Sequence, residues 1–326
     1  MAVNTKAIKN RIRSVKNTKK ITKAMEMMSA VKMRKAINNA INTRLYARLA
    51  QELIEHVSKI EEPNVDLLEV RPVKNMLVIL VSSNKGLCGS FNSNILRKAK
   101  MILDDVKNVA RHRISNTNEI LPADKINVDM IGIGKKGANF AKKYGYNLLA
   151  IYEKLTDRPD MDEVVPVARQ AVTLFKEKKY DKVIVVYTDF KSSMKQEAKV
   201  RQLLPFSSTD LEKMISSLGD EKNQKKVSEE IDDLKKDKVD MVNCIFEPSL
   251  DVVIENVFPR LVEIQLYQAV LESVASEHSS RMMAMKNASE SADEMIKELN
   301  LSFNKARQAG ITQEISEISG GAAALE

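Results

Sequence analysis

Neither glycine nor proline occurs in the first 62 residues. These two residues most often interrupt helices, so the stretch can run as one helix as far as Pro63, about 80 to 90 Å at about 1.5 Å per residue. Tryptophan is absent and aromatic residues make up 5% of the chain, against 16 methionines. That balance disfavours an all-β design and suits helices with adaptable apolar faces. Two cysteines, Cys88 and Cys244, lie far apart. They are too few for a disulfide framework and fit a reducing compartment. Apolar runs such as Met76–Val81 fall far short of the roughly 18 to 20 residues that span a bilayer. Met1–Lys23 alternates basic and single apolar residues, so no signal peptide is read there. With 326 residues and 44% hydrophobic content, the chain has enough material for a packed core and one or two domains.

Charge is present but uneven. The net formal charge is +8, and between Met1 and Arg48 thirteen Lys/Arg face a single acidic residue, Glu26. Such a run is either a solvated helix face or a basic arm for an acidic partner: nucleic acid, anionic lipid or an acidic protein surface.

Ile8, Ile12, Val15, Met25, Met28, Ile37, Ile41, Leu45, Leu49, Leu53 and Val57 supply a stripe at helical spacing that thins around Thr18–Thr22. At the other end the period is cleaner. Val257, Ile264, Leu271, His278, Met285, Ala292, Leu299 and Ala306 recur every seven residues. Leu261, Ala275, Met282, Ile296 and Phe303 supply the second half of a heptad seam. Ser249 is the expected N-cap, and Pro259 is expected to kink the helix or reset its start. The first helix runs into the middle of the chain and the last runs out of it, so side by side they are antiparallel. Neither stripe is buried alone; each helix needs the other or an outside partner.

Between them lies a different texture. Strands are expected at Met76–Ser82, Ile126–Ile133, Lys182–Thr188, Val200–Phe206 and Met241–Phe246, and helices at Asn92–Lys107, Lys136–Tyr144 and Met161–Lys178. The alternation reads as an α/β domain with crossover connections. Val109–Lys125 and the Lys/Glu/Asp-rich stretch Ser207–Asp240 read as surface insertions. The fold class is therefore α/β: a long antiparallel coiled coil of the two terminal helices (1–62 and 249–326) around a central Rossmann-like domain (73–247).

Few residues suggest chemistry. Gly132, Gly134 and Gly137 satisfy GxGxxG after an apolar strand, with Glu153 downstream where a ribose-binding acid would stand. A tight strand-to-helix turn is the simpler reading, because the motif follows the second strand and has no catalytic companion. Asn84–Gly89 resembles a phosphate loop in composition only, without GxxxxGK[ST]. Cys88 reads as a small buried thiol, since none of His56, His112 and His278 is near it in sequence. His278, at a seam position, reads as an interface residue; a metal site would want further ligands. No cofactor, metal site or catalytic residue is expected.

Four segments carry a family resemblance: Ile21–Ala36 (ITKAMEMMSAVKMRKA), Gly86-Leu-Cys-Gly89 with Phe91-Asn92, Ala275–Ala288 (ASEHSSRMMAMKNA) and Asn304–Ile318 (NKARQAGITQEISEI). With these the chain resembles the gamma subunit of F-type ATP synthase over nearly its whole length. The resemblance implies a non-catalytic rotor shaft threading a hexamer of alpha and beta subunits, with the α/β domain binding the epsilon subunit and the c-ring. It implies contact with the alpha/beta ring through Lys20, Lys23, Met25, Lys32, Arg281, Met282, Lys286, Arg307, Gln308, Thr312, Gln313 and Glu314. It also implies that membrane association comes only through the complex, at the cytoplasmic face of a bacterial plasma membrane, and that nucleic acid is not a partner. Two features depart from the family pattern. The 207–240 insertion has no cysteine, so thiol switching there is not expected, and Pro259 is unusual in the lower shaft. Two rival readings are a nucleic-acid-binding coiled coil and a nicotinamide-dependent enzyme.

Overall fold

The computed structural model describes residues 5–60, 66–113, 119–156, 159–206 and 250–323. Ser249, the expected strand Met241–Phe246 and the 207–240 insertion lie outside these residues. In chain order the main elements are helix α1 (Thr5–Ile60), strand β1 (Asn75–Val81), helices α2 (Phe91–Asp104) and α3 (Val106–Ala110), short strands β2 (His112–Arg113) and β3 (Glu119–Ile120), strand β4 (Asn127–Ile133), helix α4 (Lys135–Tyr144), strand β5 (Asn147–Tyr152), helix α5 (Met161–Lys176), strands β6 (Lys182–Phe190) and β7 (Gln196–Leu204), and helix α6 (Leu250–Ala323). They fall into two compact units, one built from Val31–Ser280 and the other from Met1–Ala30 with Arg281–Glu326.

The larger unit holds a five-stranded sheet in the order β5-β4-β1-β6-β7. β1 pairs in parallel with both β4 and β6, and β7 closes one edge antiparallel to β6. Six consecutive buried residues, Met76–Val81, make β1 apolar on both faces, as a central parallel strand covered by helices requires. From β1 the chain winds outward through β4 and β5, then returns to β6 on the other side of β1, a doubly wound course. One face is packed by Ile95, Ala99, Phe140 and Ala141 of α2 and α4 against Val78, Leu80, Met130, Ile184 and Val186. α5 buries Val164, Val167, Ala168, Ala171, Val172 and Phe175, and the Asp160 side chain caps it by accepting from the Met161 amide.

At the N-terminal ends of the strands one carboxylate organises the chain. Asp181 accepts from Arg71 Nε at 2.9 Å, from the Lys74 amide at 2.8 Å and from the Asn75 amide at 3.0 Å. The same guanidinium donates to the carbonyls of Phe175 and Tyr180 and stacks on the Phe175 ring.

Within this unit α6 is buried at every position from Leu261 to Ser279. Ser273 accepts the Thr188 amide hydrogen at 2.9 Å, Ser276 donates to the Thr188 carbonyl, and Ser279 donates to the Ser193 carbonyl at 2.8 Å. Glu263 receives Arg169 and Arg260. Phe258 meets Phe206 edge to face at 5.1 Å.

The smaller unit is a two-helix antiparallel coil. Thr22 Oγ1 and Ser289 Oγ lie 2.7 Å apart, and Lys19 Nζ reaches Asp293 at 2.5 Å. On α6 the buried or half-buried positions Met285, Ser289, Ala292, Ile296, Leu299, Phe303, Ala306 and Gly310 follow the expected heptad.

Several local expectations need correction. Pro259 does not reset the helix start, because α6 runs through it from Leu250. The 92–107 helix is divided at Asp105 into α2 and α3. β7 begins at Gln196 and ends at Leu204, shifted from the expected 200–206, since Pro205 has no amide hydrogen to extend the ladder. β5 was not anticipated: it is an edge strand with alternating exposure and a short apolar run. Met28, expected in the buried stripe of α1, is exposed.

Candidate functional site

The surface that sets this chain apart lies on α1. Among its buried or half-buried positions, Ile8, Ile12, Val15, Lys19, Thr22, Glu26 and Ser29 recur at alternating spacings of four and three, and the same phase continues through Met33, Ala36 and Ala40. The middle of that seam is polar. Glu26 takes both its carboxylate contacts from Lys23 at 3.0 Å, and Ser29 and Thr22 donate to backbone carbonyls of their own helix, Met25 and Lys19. The apolar side chains of the same segment point outward: Ile21, Met28 and Val31 are 60%, 62% and 67% exposed. Amphipathicity is thus inverted over one stretch of helix, and the outward face mixes apolar groups with Lys20, Lys23 and Lys32.

Beside this face the smaller unit carries an open groove of about 1220 Å³. Its floor includes Ile12, Met27, Ile296 and Phe303, and its rim bears Lys9, Arg13, Lys16, Lys19, Lys20 and Lys23. Among the described residues Asp293 is the single acidic side chain lining it. Toward its end α6 is exposed all round, with Ile311, Ile315 and Ile318 at 44%, 58% and 74% exposure forming one stripe.

The twelve residues expected at a partner interface divide into groups. Lys20, Lys23 and Lys32 on α1 and Lys286, Arg307, Gln308, Thr312, Gln313 and Glu314 on α6 are exposed. Thr312 donates to the Gln308 carbonyl and Gln313 to Glu317, so both are held along the helix. Met25 and Met282 are half-buried, and Arg281 is buried. Ile21, Met27 and Val31 escaped the sequence reading, although carrying the heptad phase backward from Met33, Ala36 and Ala40 would have exposed them.

The glycine motif does other work. Gly134 adopts φ +90°, and a Cβ there would sit 2.2 Å from the Ser82 carbonyl oxygen. The first donors of α4 are already engaged: Lys135 N with Asn84 Oδ1 at 3.1 Å, Lys136 N with the Ser83 carbonyl at 3.2 Å and Gly137 N with Ser82 Oγ at 2.7 Å. Glu153 pairs with Lys135. A pyrophosphate needs those amides, so the residues do not fit a dinucleotide. Cys88 is buried, with Asn92 Nδ2 donating to its sulfur at 3.1 Å. Among the described residues no cluster of His, Cys, Asp and Glu is arranged for a metal, and no helix is long and apolar enough to cross a membrane.

Paired helices that turn their apolar and basic side chains outward define a subunit built to be gripped by other chains. The comparisons say which one. A family model described as ATP synthase matches residues 4–325. The ATP synthase gamma chain of Roseiflexus castenholzii is 40% identical over 99% of this chain and 98% of its own length. Those of Chloroflexus aurantiacus and Coxiella burnetii are 36% and 38% identical over 99% and 98% of both partners respectively. Among solved structures, a chain of the OSCP/F1/c-ring part of Euglena gracilis mitochondrial ATP synthase shares the fold with a TM-score of 0.60 at 16% identity, covering 98% of this chain and 94% of its own. A chain of the central stalk and c-ring of the Tetrahymena thermophila enzyme matches with a TM-score of 0.53 at 24% identity, over 82% of this chain and 99% of its own. The chain belongs to the ATP synthase gamma chain family.

Proposed function

We propose that this chain is the central rotor shaft of an ATP synthase, turning with a c-ring and driving the catalytic subunits through their nucleotide-binding states without doing chemistry itself. The observation that carries the reading is the inverted segment of α1. A helix in a self-sufficient coil buries its best apolar groups, whereas this one leaves Ile21, Met28 and Val31 outside, among lysines. Such a face suits a surrounding ring whose beta subunits present acidic and apolar loops. Lys20, Lys23 and Lys32, with Lys286 on α6, are its electrostatic contacts, and Met25 and Met282 add adaptable apolar area. Arg307, Gln308, Thr312, Gln313 and Glu314 engage the ring further along α6, and the exposed isoleucine stripe turns inside an apolar collar. Arg281 supports this surface from a buried position.

In this reading the α/β domain binds the epsilon subunit and the c-ring, and the complex lies at the cytoplasmic face of a bacterial plasma membrane. The test is co-purification. Tagged chain is expected to bring down alpha, beta and epsilon subunits, and adding it to an alpha/beta preparation is expected to raise ATP hydrolysis; recovery of none of those subunits overturns the reading.

A further inference from the structure

We infer that Thr22 with Ser289, flanked by Lys19 with Asp293, forms a rotational key that holds α1 rolled with its more apolar face outward. Hydrophobic burial alone favours the opposite roll over this segment. Successive residues on an α-helix are separated by about 100°, so a turn of one residue step would exchange Thr22 and Ser29 for Ile21 and Met28 at the seam. That exchange would bury two large side chains that are now exposed and release two hydroxyls that are now buried. Something must outweigh it. Ile12 and Val15 on one side of the segment and Met33, Ala36 and Ala40 on the other favour the observed phase, but they lie a turn or more away.

Locally, the opposing groups are polar and matched. The two hydroxyls lie 2.7 Å apart in a buried layer, where one donates to the other and the accepting hydroxyl gives its own hydrogen to a carbonyl of its own helix, Lys19 for Thr22 or Met285 for Ser289. Beside them the ammonium of Lys19 meets Asp293 at the rim, one turn along. Rolling α1 by one residue would break both contacts together and leave Ser289 facing an isoleucine. A matched polar layer of this kind specifies the phase of a coiled coil at some expense in stability. The significance for torque rests on the rotor reading, because the key then fixes the angle at which Ile21, Met28 and Lys20 are presented to the ring. The geometry itself does not depend on that reading.

The experiment uses the full chain alone, with Cys244 replaced by serine and the buried Cys88 left in place. Single cysteines are introduced as Ile21→Cys, Met28→Cys and Ser29→Cys, and their rates of reaction with a soluble maleimide are measured. With the key intact, Ile21→Cys and Met28→Cys react rapidly and Ser29→Cys slowly. Combining each with Lys19→Ala, Thr22→Ala, Ser289→Ala and Asp293→Ala is expected to reverse that order, each rate changing by about fivefold or more, the ratio that one net hydrogen bond commands. The swapped key, Lys19→Asp with Asp293→Lys and Thr22→Ser with Ser289→Thr, is expected to retain the original order. Unchanged labelling without the key, or a rise at all three positions as simple melting would produce, overturns the inference. Because no other subunit is present, this result stands apart from the co-purification that tests the rotor reading.

Discussion

The hydroxyl of Ser82 accepts the amide hydrogen of Gly137 at 2.7 Å while donating to the carbonyl of Ile133. A single side chain at the end of β1 therefore fastens β4 to the first turn of α4, in the place a nucleotide phosphate would occupy. Calorimetric titration with a nicotinamide dinucleotide is expected to show no binding. Gly134→Ala is expected to destabilise the chain by about 2 kcal/mol or more, because the added carbon meets backbone and the residue needs positive φ. Urea unfolding of the variant measures it.

This turn shows how far sequence reading reached. The motif and its position after a strand were legible, and so was the simpler interpretation of its glycines. Which groups would occupy the helix amides was not, since Ser82, Ser83 and Asn84 lie about fifty residues away in sequence and arrive only when β1 and β4 pair.

Asp181 offers a second prediction. Its buried carboxylate satisfies two backbone amides and a guanidinium. Asp181→Ala leaves all three without that acceptor and is expected to cost about 2 to 3 kcal/mol in urea unfolding. Asp181→Asn, which keeps one acceptor oxygen, is expected to cost less.

Tyr180 should make stability depend on alkaline pH. Burial, and then its hydrogen bond to Asp129 and that residue's negative charge, push the phenol above the usual tyrosine range. The folded state thus holds this proton more tightly than the unfolded state. Its contribution is complete below the unfolded value of about 10 and is lost as pH rises toward the folded value. Wild-type chain is expected to exceed Tyr180→Phe in stability by about 1 kcal/mol near neutrality. That gap is expected to narrow in unfolding measurements made above the ordinary tyrosine range.

The isoleucine stripe separates folding from function. Ile315 is well exposed, so Ile315→Lys is expected to change the stability of the isolated chain by no more than about 0.5 kcal/mol. In the reconstituted complex the same change is expected to weaken the coupling of ATP hydrolysis to ion pumping, measured as pumping per ATP consumed.

The coiled coil was read more accurately at one end than at the other, for a physical reason. On α6 the seam from Met285 to Ala306 is apolar except at Ser289, so periodicity in hydrophobic residues coincides with burial there. On α1 the seam passes through Lys19, Thr22, Glu26 and Ser29, and a search for apolar residues drifts onto Met28, which faces solvent. Hydrophobic period finds a helix's apolar face, and here that face is turned away from the coil. β5 was missed for a related reason: with half its side chains exposed at the sheet edge, Asn147–Tyr152 lacks the long buried run that marked β1.

Nineteen consecutive residues of α6, Leu261 to Ser279, are enclosed on every side, and three serines tie that stretch to the end of β6 and the turn that follows it. In mechanical language this is a spline and not a set screw. Load passing between the sheet and the helix is shared along five turns of contact, so no single bond there has to carry it. Such a joint tolerates the loss of any one tooth and slips only when several are stripped together.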